Sequence, residues 1–183
     1  MKTTARIALA GFGLFCVVAT GLYLAGYRVN TTESYPIGIY KIEEGYTKGD
    51  LVFLCPEGKD FEKLNARGYI PKGLCPAGTK PLLKKAMAVA GDRVVVSDYV
   101  YINGKKVKNS KLYLYDSKGN RIKFFDQKSY YLGPGQVFVL SDYNDKSFDS
   151  RYFGPINQNS IIGKAVPVFL IGSTRFYAGS TMH

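Results

Sequence analysis

The chain has 183 residues, 46% hydrophobic and 21% charged, with one histidine, His183, at the last position. Proportions this close to globular averages exclude wholesale disorder, and a lone terminal imidazole excludes a Ser-His-Asp triad, Cys-His catalysis and His-rich metal sites. Three cysteines cannot build a four-thiolate zinc site, and the formal net charge of +11 permits nucleic acid or anionic lipid as partners without selecting either.

In chain order, the first element is Ile7–Tyr27, IALAGFGLFCVVATGLYLAGY, which carries no charge. It is long enough to cross about 30 Å of hydrocarbon as a helix. Lys2 and Arg6 precede it with no acid nearby, so the positive-inside rule leaves residues 1–6 in the cytoplasm and sends residues 28–183 outside. The favoured reading is an uncleaved transmembrane anchor in the cytoplasmic membrane, with the exported domain in the periplasm. The alternative is a signal peptide with Ile7–Val18 as its apolar core and Ala19-Thr20-Gly21 as a small-x-small site, whose removal would release a soluble periplasmic domain. Cys16 lies inside the apolar stretch. Cys55 and Cys75 would share an oxidising compartment, where a disulfide between them is the natural expectation. It would close a loop of about 20 residues and contribute roughly 3 kcal/mol in the chain-entropy model.

Short β-like runs separated by turns follow, in keeping with 15 tyrosines, 11 phenylalanines and 20 glycines. They are Asp50–Cys55, Pro81–Val89 with the turn Ala90-Gly91-Asp92, Arg93–Val96, Val100–Val107, Gln136–Leu140 and Ile161–Leu170. Asn103-Gly104 inside Val100–Val107 is a strong hairpin signal. Cys55–Cys75, rich in Lys, Gly and Pro, reads as an excursion loop pinned by its disulfide, and only the N-terminal segment reads as helix. The exported domain is therefore expected to be mainly β, with antiparallel strands in curled sheets or a barrel-like arrangement.

Without histidine, a hydrolase can activate a serine with a neutral lysine. That lysine must be desolvated, because an ammonium accepts no proton. Lys84 and Lys85, inside PLLKKAMAV, are the candidates. A period of two puts Lys84 with Leu82, Ala86 and Ala88, and Lys85 with Leu83, Met87 and Val89. At most one of the two can be buried and neutral, and periodicity does not choose. Ser34-Tyr35-Pro36-Ile37-Gly38 follows the apolar segment closely. Pro36 fixes its own φ and biases Tyr35 toward extended backbone, while Gly38 permits close approach of another chain segment. Alone, the segment is equally a plain turn.

Three segments occur in order: Ser34-Tyr35-Pro36; Lys84-Lys85 followed by Ala90-Gly91-Asp92-Arg93-Val94; and Ser141 to Gly154, SDYNDKSFDSRYFG. This order resembles the bacterial type I signal peptidase (leader peptidase) family. Through SYPIGIY, the CP…RGYIPKGLCP loop leading into PLLK, AVAGDRV and SFDSRYFGPI, it looks most like the conjugative-transfer branch, the TraF-type pilin-processing peptidases. The resemblance runs from Asn30 to Leu170. It implies the signal-peptidase fold, Ser34 as nucleophile and Lys84 as general base, with Lys85 in the neighbouring basic position. It further implies Ser147 as the serine that orients the lysine, Asp142, Asp149 and Arg151 as a supporting polar cluster, and Thr32 as an oxyanion-hole hydroxyl beside the Ser34 N–H. No cofactor is implied. The implied substrate is an exported precursor, a pilin or other transfer-system subunit, with small residues before the cut. Water or a substrate amine would resolve the acyl-enzyme, the latter closing a cyclic pilin.

Two positions depart from the general signal-peptidase pattern. One residue, not two, separates Ser34 from Pro36, and Ser141-Asp142 stands where Gly-Asp is usual. Asp142, Asp149 and Arg151 also read as a fold-holding ion-pair network, and Gly91-Asp92 as a turn. A non-catalytic envelope scaffold of a pilus or secretion apparatus is the alternative from another class. Phosphate-loop and dinucleotide fingerprints are absent, and no aromatic-basic motif suits nucleic acid.

Overall fold

A computed structural model describes residues 2–116, 118–122 and 129–171; His183 lies outside the described residues. In chain order the elements are α1 (Lys2–Leu24), β1 (Tyr27–Asn30), β2 (Gly38–Glu43), β3 (Leu51–Leu54), α2 (Lys59–Ala66), β4 (Leu82–Ala88), β5 (Arg93–Val96), β6 (Val100–Ile102) and β7 (Lys105–Lys106). They continue with β8 (Ser129–Tyr131), β9 (Gln136–Leu140), α3 (Ser150–Phe153), β10 (Ile156–Asn157) and β11 (Ile161–Leu170). The fold is mainly β with one N-terminal apolar helix, as expected.

Thr3–Leu24 of α1 is long and apolar enough to cross a membrane, with mean hydropathy 2.1 and no burial against the rest of the protein. The helix starts before the uncharged stretch and ends at Leu24. Gly26, at φ 88°, turns the chain directly into β1, where Tyr27 pairs with Lys41.

Seven strands form one antiparallel sheet in the order β1-β2-β11-β3-β4-β9-β10. Register shifts in β11, and between β4 and β9, bend and twist it into a curled half-barrel. The remaining strands form a smaller sheet, β7-β6-β5-β8. Its β6–β7 turn holds Asn103 at φ 50° and Gly104 at φ 80°, the left-handed pair that the Asn-Gly signal requires.

The apolar run of β9 serves two cores. Val137 and Val139 pack with Val52, Leu54, Leu64 and Leu82, while Phe138 and Leu140 pack with Val94, Val96, Val100 and Ile102 of the smaller sheet. A strand covered on both faces needs apolar residues at every position, which explains why β9 does not alternate. A third cluster, Tyr35, Tyr40, Phe53, Leu83 and Ala165, underlies the Ser34 loop.

Cys55 and Cys75 are bonded, with their Cα atoms 5.3 Å apart. The excursion they close is not only loop, because α2 lies within it. Asp60 and Glu62 sit in the first helical turn, where they complement the helix dipole. Phe61 and Leu64 share an inward face, Leu64 being buried in the core and Phe61 packing against it.

Candidate active site

The β3–β4 register sets Lys84 opposite Val52, in the middle of the large sheet. Lys84 is 2% exposed. Its Nζ lies 2.7 Å from Ser34 Oγ and 2.7 Å from Ser147 Oγ, and the two hydroxyl oxygens are 3.2 Å apart. Burial holds the Lys84 ammonium down at about 8, against an ordinary 10.5. The charge of Asp149 pulls it back up and that of Arg151 presses it further down. Among the described residues no carboxylate forms an ion pair with Lys84. Lys85, one residue along and on the opposite face, is half-buried and pairs with Asp142 at 2.6 Å.

Ser34 is half-buried in an irregular loop between β1 and β2. The side chain of Asn30, buried at the end of β1, shapes this loop from inside. Its Nδ2 donates to the carbonyls of Thr32 (2.9 Å), Tyr35 (3.0 Å) and Pro36 (3.1 Å). Its Oδ1 accepts from the Thr32 N–H (3.1 Å) and the Thr32 hydroxyl (2.9 Å). The Tyr40 hydroxyl donates to Pro36 O at 2.7 Å. Gly38 lets β2 meet β11 closely: a Cβ there would collide with the Phe169 carbonyl and lie 2.9 Å from Leu170 Cα.

Ties from the far side of the site complete the loop. The Tyr35 hydroxyl donates to Asp142 Oδ1 at 2.7 Å, and burial, reinforced by that carboxylate, pushes the phenol well up so that it keeps its proton. The Ser141 hydroxyl donates to Ser34 O at 2.6 Å, and Asn144 Nδ2 to Glu33 O at 3.1 Å. The Ser34 N–H has no acceptor among the described residues.

Asp149 and Arg151 form a bidentate pair with no exposed side-chain surface, Nε to Oδ1 and Nη2 to Oδ2 both at 2.8 Å. Burial pulls the guanidinium down, but the hydrogen bond and charge of Asp149 outweigh it and leave Arg151 raised. Asp149 also accepts from the Ser141 N–H (3.1 Å), and Arg151 donates to the carbonyls of Ser147 (2.9 Å) and Asp145 (2.7 Å). The pair thus braces the segment that delivers Ser147.

Of the residues singled out in the sequence, Ser34, Lys84 and Ser147 meet directly. Asp142 reaches them through Tyr35, and Asp149 and Arg151 through Ser141 and Ser147. The Thr32 hydroxyl points to Asn30. Asp92 accepts from Lys48, Asn103 and the Val89 N–H, the bonding of a structural turn. Asn30 and Tyr40 carry no spacing signal in the sequence, and Ser141 shows there only as a departure from the usual glycine.

A desolvated amine held against two serine hydroxyls is a set of groups able to take a proton from a serine without histidine. The family profile "Signal peptidase, peptidase S26" matches residues 3–170, and the chain belongs to that family. It is 38% identical over 170 residues to the plasmid transfer protein TraF of Escherichia coli, spanning 91% of this chain and 96% of the relative. It is 40% identical over 167 residues to the conjugal transfer protein TraF of Agrobacterium fabrum (strain C58 / ATCC 33970), spanning 89% and 93%. The crystal structure of a signal peptidase I from Enterococcus faecalis V583 aligns with a TM-score of 0.39 at 23% identity, over 66% of this chain and 97% of that one.

Proposed function

We propose that this protein is a membrane-anchored serine endopeptidase that uses a Ser34/Lys84 dyad to process an exported precursor in conjugal transfer, a pilin or another transfer-system subunit. The observation that carries the reading is the 2.7 Å approach of Lys84 Nζ to Ser34 Oγ, with Lys84 only 2% exposed. A neutral lysine amine has one lone pair and two N–H donors. The lone pair takes the Ser34 proton while an N–H donates to Ser147, which holds the amine in the attacking rotamer. Ser34 Oγ then bonds to the scissile carbonyl carbon. The Ser34 N–H meets the developing oxyanion; Thr32 joins it by exchanging its bond to Asn30 for one to the substrate oxygen. The Lys84 ammonium returns its proton to the departing amine, leaving an ester on Ser34. Water, deprotonated by Lys84, cleaves that ester, or a substrate amine does so and closes a ring.

The fully exposed apolar helix α1, with Lys2 and Arg6 near its start, supports anchoring in the cytoplasmic membrane. Ser34 follows soon after it in the chain, which favours a site at the outer, periplasmic face. The transfer context rests on the TraF relatives, matched over nearly their whole length.

Purified full-length protein in detergent, incubated with a candidate pilin precursor, tests the reading. The wild type cleaves and Ser34→Ala does not, with unchanged circular dichroism. A product one water lighter than the linear fragment signals cyclisation. Near-normal turnover by Ser34→Ala removes Ser34 as nucleophile, and a wild type that cleaves no exported precursor returns the protein to a scaffold role.

A further inference from the structure

Resting on Ser34 as nucleophile, we propose that Ser141 is a positioning residue for the reaction: its hydroxyl locks the Ser34 carbonyl and thereby aims Ser34 Oγ at Lys84. Ser141 has no exposed surface and lies just beyond β9, one step past the pairing of Leu140 with Lys85. Its Oγ donates to Ser34 O at 2.6 Å and accepts from the backbone N–H groups of Asn144 (3.0 Å) and Tyr143 (3.3 Å). Its own N–H donates to Asp149 Oδ2 at 3.1 Å. One small residue is thus bonded to the nucleophile's carbonyl, to Asp149 of the buried ion pair, and to the turn that leads toward Ser147.

These bonds differ in kind from those of Asn30 and Tyr40, and run the same way as the bond of Tyr35 to Asp142. Asn30 and Tyr40 tie the loop to β1 and β2 and fix its internal shape. None of the bonds of Asn30 or Tyr40 reaches the segment after β9. Ser141, Tyr35 and the more exposed Asn144 tie the loop to the segment that carries Ser147, and of these Ser141 alone bonds the backbone of Ser34 itself, next to the hydroxyl that must meet the amine. Near-attack geometry tolerates little error, a displacement of about 1 Å costing on the order of a hundredfold in rate. Glycine at this position would keep the backbone bond to Asp149 and lose every bond of the hydroxyl.

Ser141→Ala removes the hydroxyl while leaving the backbone bond and nearly all the volume. On one precursor peptide, the full-length variant should show kcat lower by about ten- to a hundredfold and KM within about twofold of wild type. The midpoint of its pH–rate profile should stay at the wild-type value, because Lys84 remains buried. Ser141→Gly should behave the same way and carries the test if the alanine variant does not fold. Wild-type kcat in either folded variant overturns the proposal. So does a loss of rate accompanied by a midpoint moved up toward that of an ordinary lysine, since Ser141 would then only seal the core over Lys84. Turnover by Ser34→Ala, measured alongside, reports separately on the nucleophile assignment.

Discussion

Lys84 and Lys85 are neighbours on β4, yet Lys84 is 2% exposed against two hydroxyls, whereas the Lys85 side chain keeps 27% of its surface and pairs with Asp142. The same side chain is placed in two environments by the side alternation of a strand. On one face, desolvation without a paired carboxylate disfavours the charged form. On the other, Lys85 is partly hydrated and sits against a carboxylate. A base needs the first environment, and the second suits a strut: Lys85 steadies Asp142, which accepts from Tyr35, the residue after Ser34.

The largest expected effect comes from breaking the first environment. Lys84→Arg and Lys84→Met should each lower kcat by about a thousandfold or more on a precursor peptide. Guanidinium stays protonated and cannot accept the serine proton, so retention of positive charge does not rescue the reaction. An active Lys84→Arg enzyme would remove Lys84 as the base.

The contrast between the two lysines was only half legible in the chain. The order of the three motifs pointed to Lys84, but periodicity could not, because Leu82 and Leu83 are both buried and β4 is covered on both faces near the dyad. Helix α2 left signals that its Gly- and Pro-rich surroundings masked: Asp60 and Glu62 at its start, Phe61 and Leu64 one turn apart, and Gly68 at φ 77° beyond its end. In β2 burial alternates, Tyr40 buried between exposed Ile39 and Lys41, but the apolar Ile39 on the exposed side hides that alternation in the sequence. The ties on the Ser34 loop lay beyond any spacing rule. Ser141 and Ser34 are 107 positions apart, and which hydroxyl meets which carbonyl is decided by the packing of β4 against β9.

Stability should show the same contrast in a form independent of catalysis. Lys84 is held at about 8 in the fold and returns to its ordinary 10.5 when the chain unfolds. Between those two values the unfolded chain binds more protons, so wild-type stability should rise with pH across that window. At pH 7 the buried ammonium costs up to about 3 kcal/mol. Lys84→Met should therefore be no less stable than wild type at pH 7 in urea denaturation, and wild type should gain on it from pH 8 to 10.5. A difference that does not change across this range would mean that Lys84 is hydrated in the native state. The kcat profile should rise over the same lower limit, with its midpoint near 8, as Lys84 loses its proton.

The smallest effects belong to Lys85. Its bond to Asp142 is short, 2.6 Å, but both side chains keep about a quarter of their surface, 27% and 26%, so hydration and salt screening weaken the pair. Exposed pairs of this kind contribute about 1 kcal/mol or less. Lys85→Arg keeps the charge and can still reach Asp142, so turnover should stay within about twofold of wild type. Lys85→Met leaves Asp142 with Tyr35 as its hydrogen-bonding side chain, and kcat should fall by about two- to fivefold through a looser Ser34 loop. Neither variant should move the pH–rate midpoint, because burial, the main influence on Lys84, is unchanged. Raising the salt concentration should narrow the gap between Lys85→Met and wild type, since screening weakens the bond that the mutation deletes. An inactive Lys85→Arg enzyme with intact fold, beside an active Lys84→Arg enzyme, would exchange the roles of the two lysines.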